Sequence, residues 1–245
     1  MTIGRFTIGR LIVRKIIGQS TVDGPGNRTA VFTQGCNIRC AYCHNPETQA
    51  MHDAEAKQMS IAEVLTEIRK GIPFIRGITV SGGECMLQAD ELTQLFATVK
   101  ASAPNLTCLI DSNGTIPFAH YPQLMTLCDG VMLDVKAWDP TVHQRLTQSP
   151  DNEPVKENLR WLLERDKLTE VRIVCVPGEV DVETILRKIA ETFDSIGKKA
   201  PVRLLRFRPH GVTGALKDHP MPTDEQMNAY LAFGKELEME VTTRG

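Results

Sequence analysis

Gly77-Ile78-Thr79-Val80-Ser81-Gly82-Gly83-Glu84 decides the fold. Its first four residues, three of them β-branched, read as a buried strand. The run then breaks into Ser81-Gly82-Gly83-Glu84, a turn in which paired glycines permit a sharp change of direction. Amphipathic helices flank it. Upstream, Ser60 and Glu63 form a capping box, and Ile61, Val64, Leu65 and Ile68 follow at i, i+3, i+4 and i+7. Downstream, about Asp90 to Lys100 carries Leu92, Leu95, Phe96 and Val99 on one face. The unit is helix, strand, polar turn, helix.

Reading outward, the unit recurs. Residues 10–18 read as an N-terminal strand, Thr21 to Gly26 as a turn-rich loop, and Thr29 to Thr33 as a short strand. Pro46 to Met59 is polar and reads as a loop with little core. Further strands are expected at Thr107–Ile110, Gly130–Leu133, Glu170–Val176 and Val202–Phe207. Helical patterns lie at His120–Leu127, within 139–166, and over Val182–Phe193. The last helix is capped by Thr223 and Gln226, with Met227, Tyr230, Leu231 and Leu237 inward. Strands and helices thus alternate about six times, which predicts an α/β fold with a parallel sheet and right-handed crossovers. Periodicity does not separate a flat, doubly wound sheet from a curved one. We read 1–245 as a single domain with a core of about 18–215, the first strand and last helix being extensions. Ligands of parallel α/β folds gather at the C-terminal ends of strands. The polar stretches Ser81–Glu84, Asp111-Ser112-Asn113-Gly114, Asp134-Val135-Lys136, Pro177-Gly178 and Arg208-Pro209-His210-Gly211 all fall there.

The chain has 245 residues, 42% of them hydrophobic, enough for one sizeable core. A net charge of −2, with no basic block or tail, gives no footprint for nucleic acid or an anionic membrane. No apolar run approaches the length of a membrane span. The N-terminus lacks the apolar core of a secretion signal. Seven cysteines, three clustered and four scattered, fit a reducing cytoplasm better than a disulfide framework.

The clustered three lie in Gln34-Gly35-Cys36-Asn37-Ile38-Arg39-Cys40-Ala41-Tyr42-Cys43-His44-Asn45-Pro46, just after a strand. Three thiolates at C-x3-C-x2-C can hold three corners of an iron–sulfur cube, leaving the fourth iron open to a substrate or cofactor. A structural zinc site with His44 as fourth ligand is the alternative. Zinc ligands usually come as two pairs separated by a longer loop, which this stretch does not provide. The scattered Cys85, Cys108, Cys128 and Cys175 read as buried small apolar side chains.

The spacing, with aromatic Tyr42 before the last cysteine, resembles the signature of the radical S-adenosylmethionine (SAM) superfamily. Asp23-Gly24-Pro25-Gly26-Asn27-Arg28 and Tyr42-Cys43-His44-Asn45-Pro46 resemble its glycyl-radical enzyme activases, those of pyruvate formate-lyase and of the YjjW type. The resemblance implies a curved, partly open (β/α)6 barrel. It implies one 4Fe–4S cluster on Cys36, Cys40 and Cys43, with SAM on the open iron. It places the SAM amine against Gly82, Gly83 and Glu84, the SAM carboxylate against Lys136, and the ribose or a monovalent cation against Asp134. Asp111, Ser112 and the Met132 carbonyl would complete that cation site. Tyr42 and His44 would pack the adenine, and Arg208 or His210 would contact SAM. Many such activases carry extra cysteines between the signature and the first helix; Asn45 to Met59 has none. The reducing electron would then come directly from flavodoxin or ferredoxin. The implied activity is hydrogen abstraction from a glycine of a partner enzyme by a 5′-deoxyadenosyl radical, in a cytoplasmic monomer. Two alternatives stay open at this point: a radical SAM enzyme acting on a small molecule, and a non-catalytic metal-binding module. Arg28, at the start of a strand, reads as a surface charge.

Overall fold

The computed structural model describes residues 9–244. In chain order the elements are β1 (Arg10–Ser20), β2 (Arg28–Thr33), β3 (Lys57–Ser60), α1 (Ile61–Arg69), β4 (Gly77–Gly82) and α2 (Ala89–Ser102). Then come β5 (Thr107–Ser112), α3 (Pro122–Leu127), β6 (Gly130–Asp134), α4 (Pro140–Thr147), α5 (Glu153–Glu164) and β7 (Leu168–Cys175). The chain ends with α6 (Val182–Ile196), β8 (Val202–Arg206), α7 (Asp224–Glu236) and β9 (Val241–Arg244). The described strands form one sheet in the order β3-β1-β2-β4-β5-β6-β7-β8-β9. From β2 through β9 every adjacent pair is parallel, whereas β1 runs antiparallel to both β2 and β3.

The sheet curves. Phe32, Ser81, Asp111, Asp134, Arg172 and Leu205 come from six consecutive strands of the sheet, and all line one cavity. A flat sheet could not point them at a common space. Between them the alternate residues face outward. Ile78, Val80, Ile110, Val131, Ile173 and Leu204 are fully buried beneath the helices. Burying each side chain of this size stabilises the fold by about 1.5–3 kcal/mol. The result is the expected partial barrel.

The local signals hold where they depend on a few adjacent residues. Ser60 Oγ accepts the Glu63 N–H while the Glu63 carboxylate accepts the Ser60 N–H, so α1 starts at the predicted capping box. Thr223 and Gln226 do the same for α7. Three expectations change. The Pro46–Met59 stretch is not only loop: Lys57–Ser60 pairs with β1, and Thr48 is fully buried. The chain does not end on a helix, because Val241–Arg244 adds a further parallel strand beside β8. Arg28 is not a surface charge; it is 2% exposed. Its Nε donates to Thr79 Oγ1 at 2.8 Å, and its remaining donors reach Pro25 O, Ile78 O, Thr107 O and Thr107 Oγ1. Five N–H donors meet five acceptors, which is why a guanidinium can sit beneath the sheet without a carboxylate. Burial lowers its pKa to about 10.

Candidate active site

The cysteine loop leaves the end of β2 and is pinned on two sides. On one, Gly35 N donates to Thr48 O at 2.9 Å and Cys36 N to Gln49 O at 3.2 Å. Gln34 Nε2 reinforces this side by donating to Glu47 O and Ala50 O. On the other, Arg39 N donates to Thr147 O at 2.7 Å and Ala41 N to Leu146 O at 2.8 Å. Those carbonyls end α4 and have no acceptor role within the helix, so the loop supplies the donors that a helix C-terminus lacks. The Arg39 guanidinium folds back onto Cys36 O and Ile38 O.

Cys36, Cys40, Tyr42, Cys43 and His44 all line the same cavity, of about 400 Å³. The three thiols are free. Burial pushes Cys36 up to about 11 and Cys40 up to about 12. Buried thiols held in the neutral form are poor nucleophiles. Among the described residues, no three His, Cys, Asp or Glu side chains converge on one ion position. His44 is engaged elsewhere: its Nε2 lies 2.9 Å from Arg208 O, and its ring centroid 6.0 Å from that of Phe207.

The two glycines after β4 are required by close backbone approach. Gly82 has φ +120°, and a Cβ there would stand 2.3 Å from both Thr33 N and Thr33 O. A Cβ on Gly83 would stand 2.1 Å from Gly35 O. Gly83 N and Glu84 N donate to Thr33 O and Gly35 O, so the end of β4 is sewn to the cysteine loop. Glu84 itself is turned away from the cavity. It is fully buried and accepts from Met86 N, Ser112 Oγ and Asn113 N at 3.0, 2.9 and 2.8 Å. Burial pushes its carboxyl up to about 7, and the three donors hold it back. The expected contact to the SAM amine is therefore not available to this carboxylate as it stands; it joins the ends of β4 and β5.

Lys136 and Asp134 do line the cavity, as Asp111 does. Lys136 Nζ lies 2.6 Å from Asp134 Oδ2 and 5.9 Å from the centre of the Tyr42 ring. Burial alone would lower the lysine, but Asp134 outweighs it, with Cys40 and Tyr42 adding to the effect, and its pKa stands well above the ordinary value. Sequence reasoning missed Arg172. This guanidinium lies on the inward face of β7, 7% exposed, with NH1 3.1 Å from Asp111 Oδ2 and Nε 2.7 Å from Glu170 Oε1. The signal was there: Glu170 and Arg172 are polar residues two apart in an otherwise apolar strand, hence on one face. Lys136 and Arg172, with Asp23, Asp111 and Asp134, thus line a single cavity beside the three thiols.

Most of the side-chain oxygens expected around a monovalent cation already have partners. Ser112 Oγ donates to Glu84 and accepts from Gly114 N. Asp111 Oδ2 accepts from Ser81 Oγ as well as Arg172, and Asp134 Oδ2 from Lys136. The Met132 sulfur lies 2.8 Å from Arg172 NH2. A full positive charge, that of Arg172, already stands among them. Asp111 Oδ1 is buried with no hydrogen-bond partner among the described residues. Arg208 and His210 are exposed, and neither side chain lines the cavity; Arg208 reaches the site through its carbonyl on His44.

Comparison with known proteins agrees with this geometry. Residues 30–189 match the family model described as the radical SAM superfamily. A pyruvate formate-lyase-activating enzyme of Staphylococcus aureus is 34% identical, covering 90% of this chain and 95% of its own. A Haemophilus influenzae protein, provisionally named a glycyl-radical enzyme activating enzyme, is 31% identical over 91% of this chain and 92% of its own. Among solved structures, a radical SAM methyltransferase from Sphaerobacter thermophilus superposes with a TM-score of 0.65 over 89% of this chain and 66% of its own, at 16% identity. A domain of pyruvate-formate lyase-activating enzyme from Bacteroides vulgatus gives 0.55 over 69% of this chain and 99% of its own, at 22% identity. With this match and these identities, the chain belongs to the radical SAM superfamily, within its glycyl-radical enzyme activating enzymes.

Proposed function

We propose that this enzyme generates a glycyl radical on a partner protein. The carrying observation is the shared cavity: cysteine loop, Lys136, Asp134, Asp111 and Arg172 open into one space. Cys36, Cys40 and Cys43 would hold a 4Fe–4S cluster, which, once reduced by an external donor, would supply the electron for reductive cleavage of SAM and so the radical that takes the glycine Cα hydrogen. The chain's own residues then have positioning roles. Lys136 would meet the SAM carboxylate, Asp134 would accept from ribose hydroxyls, and Tyr42 and His44 would flank the adenine. Gly82 and Gly83 let the backbone come close to the amine. Arg172 pairs with Asp111 on the wall of the cavity. The cavity reaches Val22 and Asp23, so the start of this loop would form part of the wall against which a partner's glycine segment lies.

The electron donor is read as flavodoxin or ferredoxin, reaching the cluster directly. The Asn45–Met59 interval holds no further cysteines, and its Glu47–Ala50 stretch is spent on pinning the cysteine loop. A cytoplasmic monomer fits seven unpaired cysteines, and no helix among the described residues is long and apolar enough to cross a membrane. The test is electron paramagnetic resonance on a candidate glycyl-radical enzyme incubated with this protein, SAM and reductant. A doublet that collapses when the partner's glycine is α-deuterated supports the reading. SAM consumption with a small molecule, and no radical on any partner, would sink it.

A further inference from the structure

Asn113, in the turn after β5, is 6% exposed and lines the cavity next to the cysteine loop. Its amide carries two N–H donors and one acceptor oxygen. Oδ1 accepts from Thr115 N at 3.0 Å and from Thr115 Oγ1 at 2.6 Å. That pair settles the orientation, since a flipped amide would set its own N–H against the Thr115 N–H. Nδ2 therefore faces the cysteine loop. It donates to Asn37 Oδ1 at 3.1 Å, and Asn37 Nδ2 returns to Thr115 Oγ1 at 2.7 Å, closing a ring of three side chains. Asn113 N is fixed by Glu84 Oε2 at 2.8 Å. One Nδ2 hydrogen is left over, and the atom beside it is Cys36 Sγ, at 3.9 Å.

We infer that Asn113 donates an N–H···S hydrogen bond to Cys36 and thereby sets the reduction potential of the cluster, a role that rests on Cys36 being a cluster ligand. Reduction adds negative charge that is shared with the cysteine sulfurs. A donor aimed at one of them stabilises the reduced state more than the oxidised one and raises the potential. The 3.9 Å distance is long for a neutral thiol, and a thiolate is the stronger acceptor. Glu84 gains a purpose in the same network: it holds the backbone of the donor rather than the substrate.

The experiment is a spectroscopic redox titration of the reconstituted, SAM-free protein, with no partner present. Asn113→Ala should leave iron content unchanged and lower the midpoint potential by about tenfold in the reduction equilibrium, ~59 mV for one electron. Thr115→Val, which removes the side-chain hydroxyl that helps orient the amide but touches no sulfur, should lower it less. The reduced wild-type cluster should show an exchangeable-proton coupling in electron–nuclear double resonance that disappears in Asn113→Ala. A loaded Asn113→Ala cluster with wild-type potential overturns the inference. Absence of that coupling in the wild type overturns it even if the variant fails to load. A wild type with no cluster on Cys36 would instead break the functional reading, and a normal shift without partner activation would break only the activase assignment.

Discussion

The interior of the sheet has two ends, and they treat polar groups in opposite ways. At the base, Arg28 satisfies all five of its donors within the chain, with Thr79 Oγ1 passing the connection on to Asp23 O. At the rim, three thiols form no disulfide, and Asp111 Oδ1 and the Tyr42 hydroxyl are buried with no hydrogen-bond partner among the described residues. An unsatisfied buried polar group costs about 1–3 kcal/mol. A chain that completes one end and leaves such groups at the other is prepared to complete the second with something it binds. The base is finished by folding and the rim by its cofactors.

The strongest test of that division is to remove the rim's ligands. Replacing Cys36, Cys40 and Cys43 together by Ala should abolish iron retention and SAM cleavage while the apo-protein keeps its melting temperature within a few degrees, checked by iron analysis and circular dichroism. At the base, Arg28→Met should do the reverse. It leaves the carbonyls of Pro25, Ile78 and Thr107 without their donor and should lower stability by about 3 kcal/mol, read by urea denaturation of the apo-protein. SAM affinity of the folded fraction should be unchanged; a loss of affinity without loss of stability would erase the distinction between the two ends.

Within the rim, Lys136→Ala should weaken SAM binding by about 2 kcal/mol, roughly thirtyfold, with little effect on folding, measured by equilibrium binding to the loaded enzyme. Unchanged affinity would remove Lys136 from the site. The smallest expected effect separates Glu84 from its cavity neighbours. Its carboxyl is raised from 4.5 to about 7 by burial, so the folded state holds a proton that the unfolded state has released. Its contribution is therefore complete below about pH 4.5 and is lost as pH rises through about 7. Between pH 6 and pH 7 the apo-protein should lose about 1 kcal/mol of stability. Glu84→Gln should remove most of that slope, the remainder belonging to Asp111, whose carboxyl burial raises to about 6, as seen in denaturation curves at the two pH values.

Legibility followed distance along the chain. Ser60 with Glu63, and Thr223 with Gln226, are three residues apart, and both caps form as read. Cys36, Cys40 and Cys43 lie within eight residues, so their common loop was legible before any fold was known. Lys57–Ser60 and Val241–Arg244 were not, because each is a strand of four residues whose partner, β1 or β8, lies more than thirty residues away. Short edge strands carry little pattern of their own.

Sequence by itself determined the alternation of strands and helices, the turn after each strand, and the three-thiol loop. All of these depend on local spacing and backbone preference. Tertiary structure decided which side chains meet. Register between β4 and β5 turned Glu84 from the cavity toward Ser112 and Asn113. Two-residue alternation along β7 put Arg172 inside beside Asp111. The crossing of the Asp23–Arg28 loop beneath the sheet took Arg28 from an assumed surface to full burial. Hydrogen-bonding groups tens of residues apart choose partners only after the sheet has curved, because curvature is what brings six strand ends within reach of one another.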